Sequence, residues 1–262
     1  MQINILYLLF LFFLILLLCI SLLFQRVLFQ REAFENNDIF MDVVVARYAE
    51  DLAWIKGTID PNTYNNMYVY NKGDEFECDL PKSTVKELKN VGREGHTYLT
   101  YIVENYDNLP DVVVFVPGSC GTNADKMTKL KMILDHLKTN KTSVIAGNKS
   151  REDIKLAKNF SLDNWDVTSP ENKMKNPESK VQPSTERPLH KWFEKKFGED
   201  EKLNCVTFQG VLAASRVDIQ KRPKEWYETL RADMLHPNPE TGHYVERTWK
   251  HIFSMDDEHC IG

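Results

Sequence analysis

The chain has 262 residues, a formal net charge of −5, 42% hydrophobic and 27% charged residues. Those fractions belong to a folded globular chain, so wholesale disorder and collagen-like repeats are excluded. The length allows one sizeable domain or two small ones, and the acidic balance gives no electrostatic footprint for nucleic acid.

The apolar residues are unevenly spread. From Ile5 to Phe24 the only polar residue is Ser21, and a helix of that length spans ~30 Å, the thickness of a bilayer's hydrocarbon core. No Lys or Arg precedes the run and no Ala-x-Ala pattern follows it, which favours an uncleaved anchor over a cleavable signal peptide. Residues 1–24 are therefore expected to form an N-terminal transmembrane anchor that meets the lipid bilayer through residues 5–24. Residues 25–38 form a short polar stem, and 39–262 the folded domain.

Two signals pull the orientation apart. Arg26 and Arg31 follow the span, which the positive-inside rule would keep cytoplasmic. Three Asn-x-Ser/Thr tripeptides, Asn140-Lys141-Thr142, Asn148-Lys149-Ser150 and Asn159-Phe160-Ser161, suit an endomembrane, ER- or Golgi-like lumen, the compartment favoured for the domain. Cys78, Cys120, Cys205 and Cys260 allow three disulfide pairings in an oxidising compartment, or remain thiols. Their spacing does not suggest zinc.

Within the domain, Met41–Ala46 is rich in β-branched residues and reads as a buried strand. A short helix over Ala49–Ile55 and a strand at Met67–Tyr70 follow, the latter closed by the turn Asn71–Asp74. Tyr98, Leu99, Ile102, Val103 and Tyr106 recur at helical spacing and predict a helix over Glu94–Tyr106. Asp111–Val116 is the next strand, and Ala124–Leu137 the next helix. Residues 138–188, rich in Lys, Asn, Ser and Pro, read as a long variable loop or insert. Cys205–Ser215 suggests a strand pair, Pro223 opens a helix through Leu235, and Glu240–Phe253 makes the last helix. Strands alternating with helices predict an α/β domain with a mostly parallel sheet, its ligand lying beyond the carboxyl ends of the strands.

Three clusters could carry chemistry there. Arg47, Glu50 and Asp51 follow the first strand, where an Arg could clamp a phosphate, although the two acids also suit a helix start. Asn90-Val-Gly-Arg-Glu-Gly-His96 sets Arg93, Glu94 and His96 between glycines at a helix start, a geometry that receives anions. His243, Glu246 and Arg247 share one helix face, where Glu246 could act as general base for a hydroxyl nucleophile, or pair with Lys250. An Asp-x-Asp metal motif is missing after the central strand. Asn123 and Asp125 are only a weak metal candidate and could equally cap the next helix.

The stretches Val43–Trp54, Tyr70–Gly73, Asn90–Ile102, Asn105–Asp111 and Asn238–Trp249 together resemble a family catalogued as a domain of unknown function. Its members occur in fungi, bacteria, algae and large DNA viruses. That family looks like a divergent relative of glycosyltransferases with the GT-A fold, preceded here by one transmembrane helix. The resemblance implies a membrane-anchored protein that transfers a sugar from a nucleotide-sugar donor to a glycan or other hydroxyl acceptor. Arg47, Glu50, Asp51, Arg93, Glu94 and His96 would then bind substrate, and Glu246, His243 and Arg247 would be catalytic. Metal-dependent glycosyltransferases of this kind usually use Mn²⁺ or Mg²⁺, an expectation that the missing Asp-x-Asp weakens here. The competing expectation is a non-catalytic, membrane-anchored sugar- or protein-binding module.

Overall fold

The computed structural model describes residues 41–162 and 180–262. The expected anchor and stem lie outside the described residues; among those described, no helix is long and apolar enough to cross a membrane.

The strands are β1 (Met41–Arg47), β2 (Asn66–Asn71), β3 (Ser83–Glu87), β4 (Val112–Pro117), β5 (Val144–Asn148), β6 (Val206–Ser215) and β7 (Cys260–Ile261). The helices are α1 (Arg93–Asn105), α2 (Ala124–Leu137), α3 (Arg151–Lys158), α4 (Leu189–Phe197), α5 (Arg216–Ile219), α6 (Lys224–Ala232), α7 (Glu240–Arg247) and α8 (Trp249–Ile252). The strands form one sheet in the order β3-β2-β1-β4-β6-β5-β7. β1 pairs in parallel with β2 and β4, β2 with β3, and β5 with β7, whereas β6 is antiparallel to both of its neighbours. The α/β class and the mostly parallel sheet are as expected.

Both faces of the central strands are covered, which explains their near-continuous apolar sequence. Val43, Val45, Val114 and Val116 face a layer containing Ile55 and the α2 residues Leu130, Ile133 and Leu137. Val44, Val113 and Phe115 face the opposite layer, built from α1, α4, α6, α7 and α8. That second layer is aromatic: Phe115 stacks on Phe253 at 6.1 Å between centroids, and Phe253 on Trp249 at 5.3 Å. A buried polar contact crosses the same layer, where the Tyr101 hydroxyl donates to Asp42 Oδ2 at 2.7 Å.

Several elements differ from expectation. β3 carries the polar sequence Ser-Thr-Val-Lys-Glu at the sheet edge, where only β2 pairs with it, so no apolar pattern announced it. Residues 138–188 contain β5 and α3, whose N-terminus Ser150 caps by accepting from the Asp153 N–H. The expected strand pair at 205–215 is one bent strand. The short helix expected over 49–55 is a 3₁₀ turn at Ala53–Gly57. The helix after Pro223 ends at Ala232, and the last helix breaks at Thr248 into α7 and α8.

Cys205 and Cys260 form a disulfide, while Cys78 and Cys120 are thiols. The bridge passes over β5, which lies between β6 and β7 in the sheet. Gly147 of β5 sits beneath it: a Cβ there would lie 2.5 Å from Cys205 Sγ and 2.9 Å from Cys260 Sγ. Glycine in a strand interior is unfavourable unless something must approach the backbone closely, and here the sulfurs do.

Gly147→Ala is therefore expected to destabilise the oxidised domain by about 1–3 kcal/mol, the range for overpacking. In a Cys205→Ser/Cys260→Ser background, denaturant unfolding should show a markedly smaller cost, because the crowding sulfurs are gone. Equal costs in both backgrounds would contradict this reading.

Candidate functional site

Strand order reverses between β1 and β4: the chain steps from β1 outward to β2 and β3, then returns to the other side of β1. In open α/β sheets, ligands bind beyond the carboxyl ends of the strands at such a reversal. Arg47, Asn71 and Pro117 end the relevant strands, with Lys72 and Gly118 next in the chain.

The first cluster is tied into this edge by its own hydrogen bonds. Arg47 donates through Nε to the Glu50 carbonyl and through Nη1 to Asn71 Oδ1 at 2.7 Å, and its guanidinium lies 3.9 Å from the Phe76 ring centroid. Glu50 Oε2 accepts from the N–H groups of Tyr48 and Ala49, and Asp51 accepts from the Ala53 N–H. These three side chains shape the loop after β1.

The second cluster opens α1. Gly92 and Arg93 are successive left-handed residues, with φ of 60° and 53°. A Cβ at Gly92 would lie 2.6 Å from the Met234 carbonyl oxygen, so only glycine fits. The turn is held by Lys72, whose Nζ donates to the carbonyls of Val91 at 2.6 Å and Arg93 at 2.5 Å. Burial lowers the Lys72 pKa to about 7, with Glu94 pulling it up and Arg93 pushing it down. Arg93 and Glu94 are neighbours, Nε to Oε2 at 3.8 Å. His96 faces inward and is buried, which lowers its pKa to about 4 and keeps it neutral at physiological pH.

The third cluster meets the second across a break in β6. Ile145 of β5 faces Leu212, yet Gly147 faces Thr207, so the β6 residues between them bulge out of the ladder. Gln209 and Gly210, at φ 77° and 65°, form the bulge. Glu246 Oε1 accepts from the Gln209 N–H at 2.7 Å, and the Tyr98 hydroxyl donates to the Gly210 carbonyl at 2.8 Å. Glu94 packs on the same peptide, its Cγ lying 2.8 Å from where a Gly210 Cβ would stand. Two carboxylates, one from the start of α1 and one from the end of α7, thus flank one bulge.

Around them lie the cations. Arg247 Nη1 is 3.5 Å from Glu246 Oε2 and donates to the His243 carbonyl at 2.9 Å, with its guanidinium 3.9 Å from the Phe160 ring centroid. Burial, reinforced by Arg93 and Arg247, holds His243 well below its usual pKa. Its Nδ1 is 3.9 Å from Glu246 Oε2, beyond hydrogen-bonding distance. Lys129 Nζ donates to Gln209 Oε1 at 3.1 Å.

The weak metal candidates serve elsewhere: Asn123 caps α2 by accepting from the Lys126 N–H, and Asp125 pairs with Lys129 at 3.0 Å. Among the described residues, no three His, Cys, Asp or Glu side chains gather around a point that could hold a metal ion. Lys72, Lys129 and Gln209 were missed as site residues. The first directly follows β2, just before a glycine, and Gln209-Gly210 interrupts an apolar strand, which is a bulge signal.

Comparison with curated proteins gives no match. Residues 43–262 match the family described as "Protein of unknown function (DUF3431)", and the chain belongs to that family.

Proposed function

We propose that the domain is a glycosyltransferase-like enzyme, carried on an N-terminal membrane anchor, that moves a sugar from a nucleotide-sugar donor to a hydroxyl acceptor. The observation that carries this reading is the meeting of Glu94 and Glu246 at the β6 bulge, at the carboxyl edge of the sheet, with Arg93 beside Glu94, Arg247 beside Glu246 and Lys72 bonded to the Arg93 carbonyl. Such a transfer needs a base for the acceptor's proton and positive charge for the departing diphosphate. Glu246 is the base: Oε1 is fixed by the Gln209 N–H, and Oε2 is turned toward Arg247. Arg93, Lys72 and the first-turn N–H groups of α1 receive the diphosphate, where the helix dipole also favours an anion. With no Asp-x-Asp and no cluster of metal-type ligands among the described residues, these cations supply the counter-charge. His243 and His96, neutral through burial, shape the site without adding charge.

Glu246→Gln keeps an oxygen acceptor for the Gln209 N–H and removes the base. Transfer, assayed with a panel of nucleotide-sugars, is expected to fall by about 10²–10⁴ in kcat with little change in donor KM. A variant that transfers at the normal rate sinks the assignment. Selective thermal stabilisation by one nucleotide-sugar, without turnover in either protein, would favour the binding module, because any ligand that binds only the folded state raises Tm.

Lys72 sets a pH dependence. Its folded-state pKa is lowered to about 7 from 10.5, so the ammonium is present below pH 7 and lost above it. Nucleoside diphosphate affinity, measured by calorimetry, is expected to weaken as pH rises from 6 to 8, with a proton taken up on binding. Lys72→Arg, which stays protonated, should flatten that slope. Stability of the unliganded domain runs the other way: between about pH 7 and 10.5 the unfolded chain holds a proton that the folded one lacks, so stability rises with pH.

A further inference from the structure

Two features at the β5 edge bear on the compartment in which this domain folds. The first is the Cys205–Cys260 bridge, both of whose cysteines are buried, with glycine at the one position where the bridge crosses a strand. β7 has only two residues, and the bridge ties it across β5 to the start of β6. A bridge built into a sheet in this way belongs to an oxidising compartment, since cytosolic thiols are kept reduced.

The second is the setting of the Asn-x-Ser/Thr tripeptides. Asn140-Lys141-Thr142 lies in the loop from α2 to β5, whereas Asn148 is the last residue of β5, paired with Val206, and Lys149-Ser150 leads from it into α3; all six residues are exposed. The third tripeptide differs. Asn159 is exposed, but the adjacent Phe160 is partly buried, its ring lying 3.9 Å under the Arg247 guanidinium and 6.0 Å from the His243 ring. A glycan there would emerge beside the candidate site; the other two asparagines carry no such neighbour.

We infer that the domain is exported into an oxidising, lumenal compartment, where Asn140 and Asn148 are N-glycosylation acceptors and Cys205–Cys260 is formed. Each acceptor Nδ2 bonds to the anomeric carbon of a polyprenyl-diphosphate-linked oligosaccharide. The anomeric C–O bond breaks, the polyprenyl diphosphate leaves, and one amide proton is lost to a base. In forming the bridge, two thiols give up two protons and two electrons to a protein disulfide of that compartment, which is reduced to a dithiol. This assignment sets aside the positive charge of Arg26 and Arg31 and is independent of the proposed sugar transfer.

The test is synthesis of the full chain in the presence of endoplasmic-reticulum microsomes. The product should be protected from added protease and carry extra mass that an N-glycosidase removes. Asn140→Gln and Asn148→Gln should each remove one glycan, and the double variant should lose all glycosidase-sensitive mass. Of the five cysteines, three should react with a maleimide in denaturant before reduction, and all five after it. An unprotected domain with five reactive thiols overturns the compartment. A protected but unglycosylated chain overturns the acceptors, and a glycan persisting in the double variant overturns the choice of Asn140 and Asn148 over Asn159.

Discussion

Strand β6 must pair with two neighbours that do not share its pitch. Along β4 it runs in unbroken antiparallel register from Phe115–Leu212 to Val112–Ser215, whereas along β5 the register jumps between Ile145–Leu212 and Gly147–Thr207. The excess chain leaves the ladder as two left-handed residues, Gln209 and Gly210, and its freed backbone groups need partners. Glu246 takes the N–H of one and Tyr98 the carbonyl of the other. The positions of α1 and α7 over the sheet follow from that pairing, because each supplies one of the two side chains. A bulge of this kind re-aims side chains and ends pairing, and it concentrates the candidate chemistry at one point on the sheet edge.

Electrostatics in this region is set as much by burial as by charge. Arg93 and Arg247 stand close enough to His243 to disfavour its protonation, and desolvation does the larger share. Lys72 is balanced between desolvation, Arg93 and Glu94, which leaves it close to changing state at neutral pH. At the other end of α7, Glu240 is fully buried and pairs with Arg187 at 2.8 Å. Its carboxylate also accepts from the N–H groups of Leu162 and Ser184 and from the Tyr244 hydroxyl. One helix therefore fixes the chain on both sides of residues 163–179 and carries His243, Glu246 and Arg247 a turn further on. The buried carboxylate at its first turn also complements the helix dipole.

What the sequence disclosed, and what it hid, follows from burial. β1, β4, α1 and α2 read correctly because each buries enough apolar residues to leave a period, as Val112–Val116 and Leu130, Ile133 and Leu137 do. β3 left no period because it is an edge strand with exposed Thr84 and Glu87. β5 was lost among lysines and asparagines because its apolar run is only Val144-Ile145-Ala146 before Gly147. Glu94 and Glu246 were legible as helix-face residues, but their meeting was not, since it depends on a register shift in a third element. Arg47, Glu50 and Asp51 were legible as a loop-tip cluster, but their hydrogen bonds to their own loop and to Asn71 were not, since these depend on how the chain folds after β1 and β2. The disulfide was one of three possible pairings, and only the sheet order that brings β7 beside β5 selects it.

The bridge and the candidate site are joined by the same strand. Cys205 immediately precedes β6; Val206 and Thr207 pair with Asn148 and Gly147; and the Thr207 hydroxyl donates to the Glu246 carbonyl. Two residues further on, the Gln209 N–H holds the Glu246 carboxylate. The backbone and the side chain of Glu246 are thus both fixed by the short stretch of β6 between the disulfide and the bulge. The bridge constrains the unfolded chain most strongly, because it closes a 55-residue separation. In the folded domain it also anchors one end of that stretch, so motion of Cys205 has only Val206 and Thr207 to cross before it reaches the residue assigned as base. Oxidation of the sheet edge and order at the carboxylate are, on this geometry, properties of a single strand.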